Sequence, residues 1–185
     1  SSANIKKISD TTKVIQLNNQ AFRSRLINPD ITISEANKAL KLAVKINYIN
    51  GIAESYRVIG VGNSYKNSID TAIENYLNAL SYFKRNKNLE GEAKVYNNIG
   101  NLYRDIDYNK SLENFEKSLK IATKLNIRDL IAGLKLNIGT AYQQRKNFPK
   151  ALTYYQDSLS MLNILENKIG IIHSPHNLAA LYLNP

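Results

Sequence analysis

The stretch Tyr96-Asn97-Asn98-Ile99-Gly100-Asn101-Leu102-Tyr103 decides how this chain is read, because its apolar-then-glycine centre returns at a fixed distance in both directions. Arg57-Val58-Ile59-Gly60 stands 40 residues before Asn97-Asn98-Ile99-Gly100, Leu136-Asn137-Ile138-Gly139 stands 39 after it, and His176-Asn177-Leu178-Ala179 follows 40 further on. Three residues past the small residue come Tyr103, Tyr142 and Tyr182, with Asn63 in the first copy. Eleven or twelve residues past each glycine a second small residue appears, at Ala72, Ser111 and Ala151. An aromatic follows each at i+4 (Tyr76, Phe115, Tyr155), then another small residue (Ala79, Ser118, Ser158). Self-similarity at such a period is the mark of stacked supersecondary units that bury their faces against one another.

Within a unit the apolar residues keep a period near 3.6, as in Leu112, Phe115, Leu119 and Ala122, and no alternating run of strand length occurs. Each unit therefore reads as a helical hairpin. Gly60, Gly100 and Gly139 on one helix and Ala72, Ser111 and Ala151 on the next permit close approach, with the aromatics filling the wedge between neighbouring pairs. Asn50-Gly51, Glu90-Gly91 and Ile169-Gly170 are expected to be the turns that close units, with Leu130 replacing glycine in the third. Asp107 and Asn147 suit a capping role inside a hairpin, and Pro149 suits a first helical turn.

The pattern resembles the tetratricopeptide repeat family in a long-pitch version of about 40 residues per unit. The residues that carry it are Tyr56-Ile59-Gly60 with Ala72-Tyr76-Ala79, Tyr96-Ile99-Gly100-Tyr103 with Ser111-Phe115-Ser118, and Ile138-Gly139-Tyr142 with Ala151-Tyr155-Ser158. Upstream, Leu17 to Phe22 is similar to a first helix with Ala21 in the glycine's place, Asn28-Pro29 falls in a longer internal loop, and Ala36, Leu40 and Ala43 supply the second helix. The resemblance implies an all-α fold, a right-handed superhelical solenoid of antiparallel hairpins. Residues 1–3 read as a remnant ahead of a single array over 4–185, with units at about 4–50, 51–90, 91–129 and 130–169 and a lone helix over 170–185.

The chain has 185 residues, no cysteine and a formal charge of +10. The missing cysteine excludes disulfide frameworks, thiolate catalysis and Cys-bearing zinc sites. No apolar stretch approaches the roughly 18 residues of a membrane helix, so no membrane insertion is expected, and a soluble, cytoplasmic array is favoured over a periplasmic one. The charge raises the question of nucleic acid. The first 90 residues hold 13 basic and 7 acidic side chains and the rest 12 and 8, so the excess is spread evenly rather than gathered into a stripe, which argues against it.

In a solenoid the repeated residues pack, and function belongs to the non-repeating ones. The resemblance places these on the first helix of each hairpin, which lines the concave face. In the second full unit that stripe is Lys94, Asn97, Asn101 and Arg104. In register it becomes Glu54, Arg57, Val61 and Ser64 before, Gly133, Leu136, Thr140 and Gln143 after, Ile15, Asn18, Phe22 and Arg25 at the N-terminus, and His173, His176, Ala180 and Leu183 at the end. Arg25, Arg57, Lys94 and Arg104 stand against one acid, Glu54, a balance of about +3, among the amides of Asn18, Asn97, Asn101 and Gln143. Amides can pair both backbone groups of an extended peptide, and the basic groups favour acidic character in it. The candidate groove residues are thus Asn18, Arg25, Arg57, Lys94, Asn97, Asn101, Arg104, Thr140, Gln143 and His176, and the expected partner is a protein or peptide segment.

Family members that bind chaperone tails use a Lys/Asn/Arg carboxylate clamp. Arg57 and Asn98 can stand for two of its groups, but Val61, Gly133 and Asn137 occupy the others, so such a receptor is not expected. No catalytic constellation, metal set or cofactor motif is present in the sequence, and a non-enzyme is expected. Ser174-Pro175 reads as a helix start that leaves His173 in the connection. The apolar Leu178, Leu181, Tyr182 and Leu183 imply either a piece of a longer array or self-association through the C-terminal helix as an assembly scaffold. By family analogy, similar long-pitch arrays serve as sensory regions of bacterial signalling proteins and as peptide receptors in quorum sensing.

Overall fold

A computed structural model describes residues 2–164. The described residues form eight α-helices: α1 (Ser2–Arg23), α2 (Pro29–Lys45), α3 (Ile49–Tyr65), α4 (Ile69–Arg85), α5 (Leu89–Tyr103), α6 (Tyr108–Lys124), α7 (Arg128–Gln144) and α8 (Phe148–Ile164). A short 3-10 turn, Ser24–Leu26, separates the first two. No strand occurs among these residues, and the chain is all-α. It divides within α5 into two compact units, Ser1–Asn98 and one that begins at Ile99.

Helix starts follow the capping chemistry of the sequence. Asn28 accepts from the backbone N–H groups of Asp30 and Ile31 at the head of α2, with Pro29 in the first turn, and Asp107 accepts from Lys110 N at the head of α6. Asn147 does the same for Lys150 N, with Pro149 in the first turn of α8.

The chain reversals differ from the expected ones. Asn50-Gly51 lies inside α3 and Glu90-Gly91 inside α5. The left-handed turn positions are held instead by Asn47, Asn67, Lys87, Asn126 and Lys146, with φ between 54° and 58°. Each ends its helix with the 6→1 backbone bond of a Schellman motif, as in Tyr48 N to Ala43 O at 2.8 Å and Asn88 N to Phe83 O at 2.9 Å. Asparagine tolerates this backbone almost as glycine does, which frees the glycines for another task. A Cβ at Gly51 would collide with Tyr48 and Val14, and one at Gly91 with the Phe83 ring.

The repeated glycines work in the same way. A Cβ at Gly60 would sit 2.6 Å from the Tyr76 ring, at Gly100 2.5 Å from Phe115, and at Gly139 2.6 Å from Tyr155. Each aromatic is therefore seated on the glycine of its own hairpin rather than only in the wedge beside it. Ala72 O and Ala151 O would lie 3.3 Å from the added carbons at Gly60 and Gly139, so the small-on-small approach holds as well. Phe115 also reaches the neighbouring hairpin, joining Ala122, Ile131, Leu134 and Ile138 in one buried cluster. Gly133 has no such neighbour: nothing lies within 4 Å of an added Cβ. Gly133→Ala should therefore stabilise α7 by about 0.5–1 kcal/mol, because glycine costs that much in an unconstrained helix interior. Urea unfolding will show it as a raised midpoint at unchanged slope.

Candidate functional site

In the N-terminal unit the first helices α1, α3 and the start of α5 carry a continuous set of polar side chains. Asn18 is 2% exposed and donates from Nδ2 to Ser55 Oγ at 3.0 Å, and Ser55 Oγ in turn donates to Gly51 O at 2.8 Å. This relay fixes which way the amide faces and leaves Asn18 Oδ1 buried without a hydrogen-bond partner. Around it lies a cavity of about 220 Å³, lined by Val14, Ile15, Asn18, Asn19, Tyr48, Asn50, Gly51, Glu54, Phe83, Asn88, Glu90, Gly91 and Lys94.

Arg57 does not serve as a free groove cation. Its guanidinium grips Glu54 with two bonds, Nε to Oε2 at 2.9 Å and Nη2 to Oε1 at 2.6 Å, and donates from Nη1 to Asn98 Oδ1 at 2.9 Å. The Phe22 ring stacks 5.0 Å from its Cζ. At 7% exposure Arg57 is buried, and each of its three guanidinium nitrogens has a partner. The two residues that could have stood in a carboxylate clamp, Arg57 and Asn98, thus satisfy each other. Burial opposes the charge of Arg57, but the Glu54 carboxylate outweighs it and its pKa is raised. Tyr76, packed beneath, is pushed above the ordinary tyrosine range by burial, with Arg57 acting the other way.

Arg25 turns back on its own helix end, donating to Phe22 O at 2.8 Å with its Cζ 3.9 Å over the Phe22 ring. Lys94 is exposed and pairs with Glu90 at 2.6 Å. Val61, expected on the stripe, is 3% exposed and belongs to the core. Asn97 and Asn101 are half-buried on α5. Arg104 lies one residue past the end of α5, and its Nε is buried with no partner.

In the C-terminal unit Thr140 and Gln143 come together through one phenol. Tyr155 Oη lies 2.6 Å from Gln143 Oε1 and 3.3 Å from Thr140 Oγ1, while Thr140 Oγ1 donates to Leu136 O at 3.0 Å. Burial raises the Tyr155 pKa. His176, with His173, Ser174-Pro175 and the helix expected over 170–185, lies outside the described residues.

Sequence reasoning missed Asn50, Asn88 and Glu90. Asn50 Oδ1 accepts from Asn86 Nδ2 at 2.8 Å and Asn88 Nδ2 at 3.1 Å, which holds three amides at one edge of the cavity. The signal was present: Asn50 and Glu90 stand four residues before Glu54 and Lys94, one further turn along the same helical face. Reading those dipeptides as turns hid it. Among the described residues no group of three or more His, Asp or Glu could hold a metal ion, and no helix is long and apolar enough to cross a membrane.

No model of a known protein family matches the chain. A stretch of 52 residues is 44% identical to response regulator aspartate phosphatase I of Bacillus subtilis (strain 168), covering 28% of this chain and 13% of that protein. Among solved structures, a Rap protein complexed with competence and sporulation factor superposes with a TM-score of 0.75 at 14% identity, over 87% of this chain and 46% of that one. A STAND-type signal transduction ATPase with a tetratricopeptide repeat sensor, from Pyrococcus horikoshii, superposes at 0.73 and 19% identity over 94% of this chain and 28% of that one. BtubC from P. vanneervenii matches at 0.67 and 16% identity over 98% of this chain and 84% of that one. The fold is tetratricopeptide-like. At these identities the structural likeness speaks for the helical repeat alone, and the repeat is what the glycine–aromatic register on α3 to α8 already displays.

Proposed function

We propose that this chain is a protein- or peptide-binding module of a larger bacterial regulatory protein, with the first-helix face receiving an extended segment. The observation that carries the reading is the cavity of about 220 Å³ in the N-terminal unit, whose wall combines the amides of Asn18, Asn19, Asn50 and Asn88 with the side chains of Glu54, Glu90 and Lys94. A concave surface that sets polar groups in an apolar wall is where proteins ordinarily receive a partner group. The exposed Lys94 and the Arg104 guanidinium give the α5 end of the face its basic character, which suits acidic residues in the segment. The local identity to a response regulator phosphatase, and the likeness to a Rap protein bound to a signalling factor, support a regulatory setting.

The test is selection from a random peptide display library. The native chain should enrich acidic segments, and Asn97→Ala, Asn101→Ala and Arg104→Ala combined should abolish that enrichment while circular dichroism reports an intact helical array. Equal enrichment by the triple variant would overturn the reading.

A further inference from the structure

The cavity of the N-terminal unit is balanced in charge and directional in its hydrogen bonds. Glu54 is held by Arg57 and Glu90 by Lys94, so no charge at the wall is left over for an ion. The hydrogen-bond direction follows from a backbone group. Asn88, at the head of α5, accepts on Oδ1 from Gly91 N at 2.9 Å, and a backbone N–H can only donate. That bond orients the Asn88 amide, whose Nδ2 then donates to Asn50 Oδ1 at 3.1 Å. Asn86 Nδ2, at the end of α4, donates to the same oxygen at 2.8 Å. An amide oxygen has two lone pairs, so Asn50 Oδ1 is full. Asn50 lines the cavity and Asn86 does not, which leaves the Asn50 NH2 as the part of that side chain still available there. Asn50 Nδ2 has no partner among the described residues and, unlike Asn18 Oδ1, is not sealed from the surface.

We infer that this cavity is a subsite for a side-chain carboxamide, that of a glutamine or an asparagine on the partner segment, whose carbonyl accepts from Asn50 Nδ2; this rests on the reading that the first-helix face receives such a segment. The volume of about 220 Å³ is below the roughly 300–1,000 Å³ of sites that hold a whole small molecule and suits the end of one side chain. Val14, Ile15, Tyr48 and Phe83 give its methylene stem an apolar wall. The carboxamide NH2 finds the Glu54 carboxylate, which is 30% exposed and whose oxygens each accept a single bond from Arg57. A carboxylic acid of the same shape brings a charge for which no counter-charge is free. An apolar side chain covers the Asn50 NH2 without pairing it, and a site built to hydrogen-bond a ligand rejects the analogue that cannot.

The experiment is an amide-resolved NMR titration of the full chain with four probes, the Nα-acetyl N-methylamides of glutamine, asparagine, glutamate and norleucine. At least one of the first two should shift the Asn50 side-chain amide and the Gly51 and Gly91 backbone amides saturably, about tenfold more tightly than the glutamate and norleucine probes; the tighter of the two identifies the side chain. Asn50→Asp keeps an acceptor for Asn86 and Asn88 and removes the donor. It should weaken the carboxamide probe about tenfold and leave the norleucine probe within about twofold. Binding of glutamate or norleucine as tight as that of the carboxamides, no saturable shift at these amides, or undiminished carboxamide binding by Asn50→Asp would overturn the subsite. Such a failure leaves the α5 reading standing, because that is tested separately with acidic peptides and the α5 triple variant.

Discussion

Replacing Glu54 with alanine is expected to lower the stability of the N-terminal unit by about 3 kcal/mol, the low end of the range for stranding a buried charge. The low end applies because the Glu54 side chain is 30% exposed while that of Arg57 is 8% exposed. Removal of the carboxylate leaves a guanidinium beneath the Phe22 ring with only Asn98 to accept from it. Arginine cannot escape by losing its proton. Equilibrium urea unfolding measures the loss. The companion variant, Glu54→Gln with Arg57→Met, removes both charges and should recover most of it, since an apolar replacement of a buried pair is often close to neutral. A loss below about 1 kcal/mol in Glu54→Ala would mean that the pair behaves as a surface bridge.

A second large effect is expected at Phe115. Phe115→Ala should cost about 3–5 kcal/mol, because the ring is fully buried and sits in the cluster with Ala122, Ile131, Leu134 and Ile138. The more discriminating measurement is its coupling to Gly100. In the native chain Gly100→Ala should destabilise by about 1–3 kcal/mol, since its Cβ would stand 2.5 Å from a ring that has no room to move. In the Phe115→Ala background the sign should reverse. The added methyl then enters the vacated space and removes the helical penalty of glycine, about 1 kcal/mol. A double-mutant cycle followed by urea unfolding reads this as non-additivity, and additive values would show that the ring does not seat on Gly100.

Much of the fold was legible because periodicity along the chain maps directly onto position in a hairpin. The register of Gly60 with Tyr76, Gly100 with Phe115 and Gly139 with Tyr155 could be read from spacing alone, and the structure places each ring on its glycine. Gly51 and Gly91 were not legible in the same way. Glycine serves a turn through its backbone freedom or a close contact through its missing Cβ, and spacing does not distinguish the two. Here the contact with Tyr48, Val14 or Phe83 won, and asparagine and lysine took the left-handed positions.

The candidate site divides along the same line. The residue types and their helical face were in the sequence: Asn18, Glu54, Arg57 and Lys94 fall one or two turns apart on successive first helices. Their state of pairing was not. A sequence counts Arg57 as a positive charge on offer, yet it is spent on Glu54 and Asn98, and the cavity nearby is lined by more carboxylates than cations. The sequence by itself determined the repeat and the helical period, because these depend on order along one chain. Only the tertiary structure decided which polar groups on the first helices are already paired. The Arg57 and Lys94 charges are met three and four residues away on their own helices, but Asn98 and Ser55, which accept from Arg57 and Asn18, stand about 40 residues away in sequence, at distances the one-dimensional pattern does not contain.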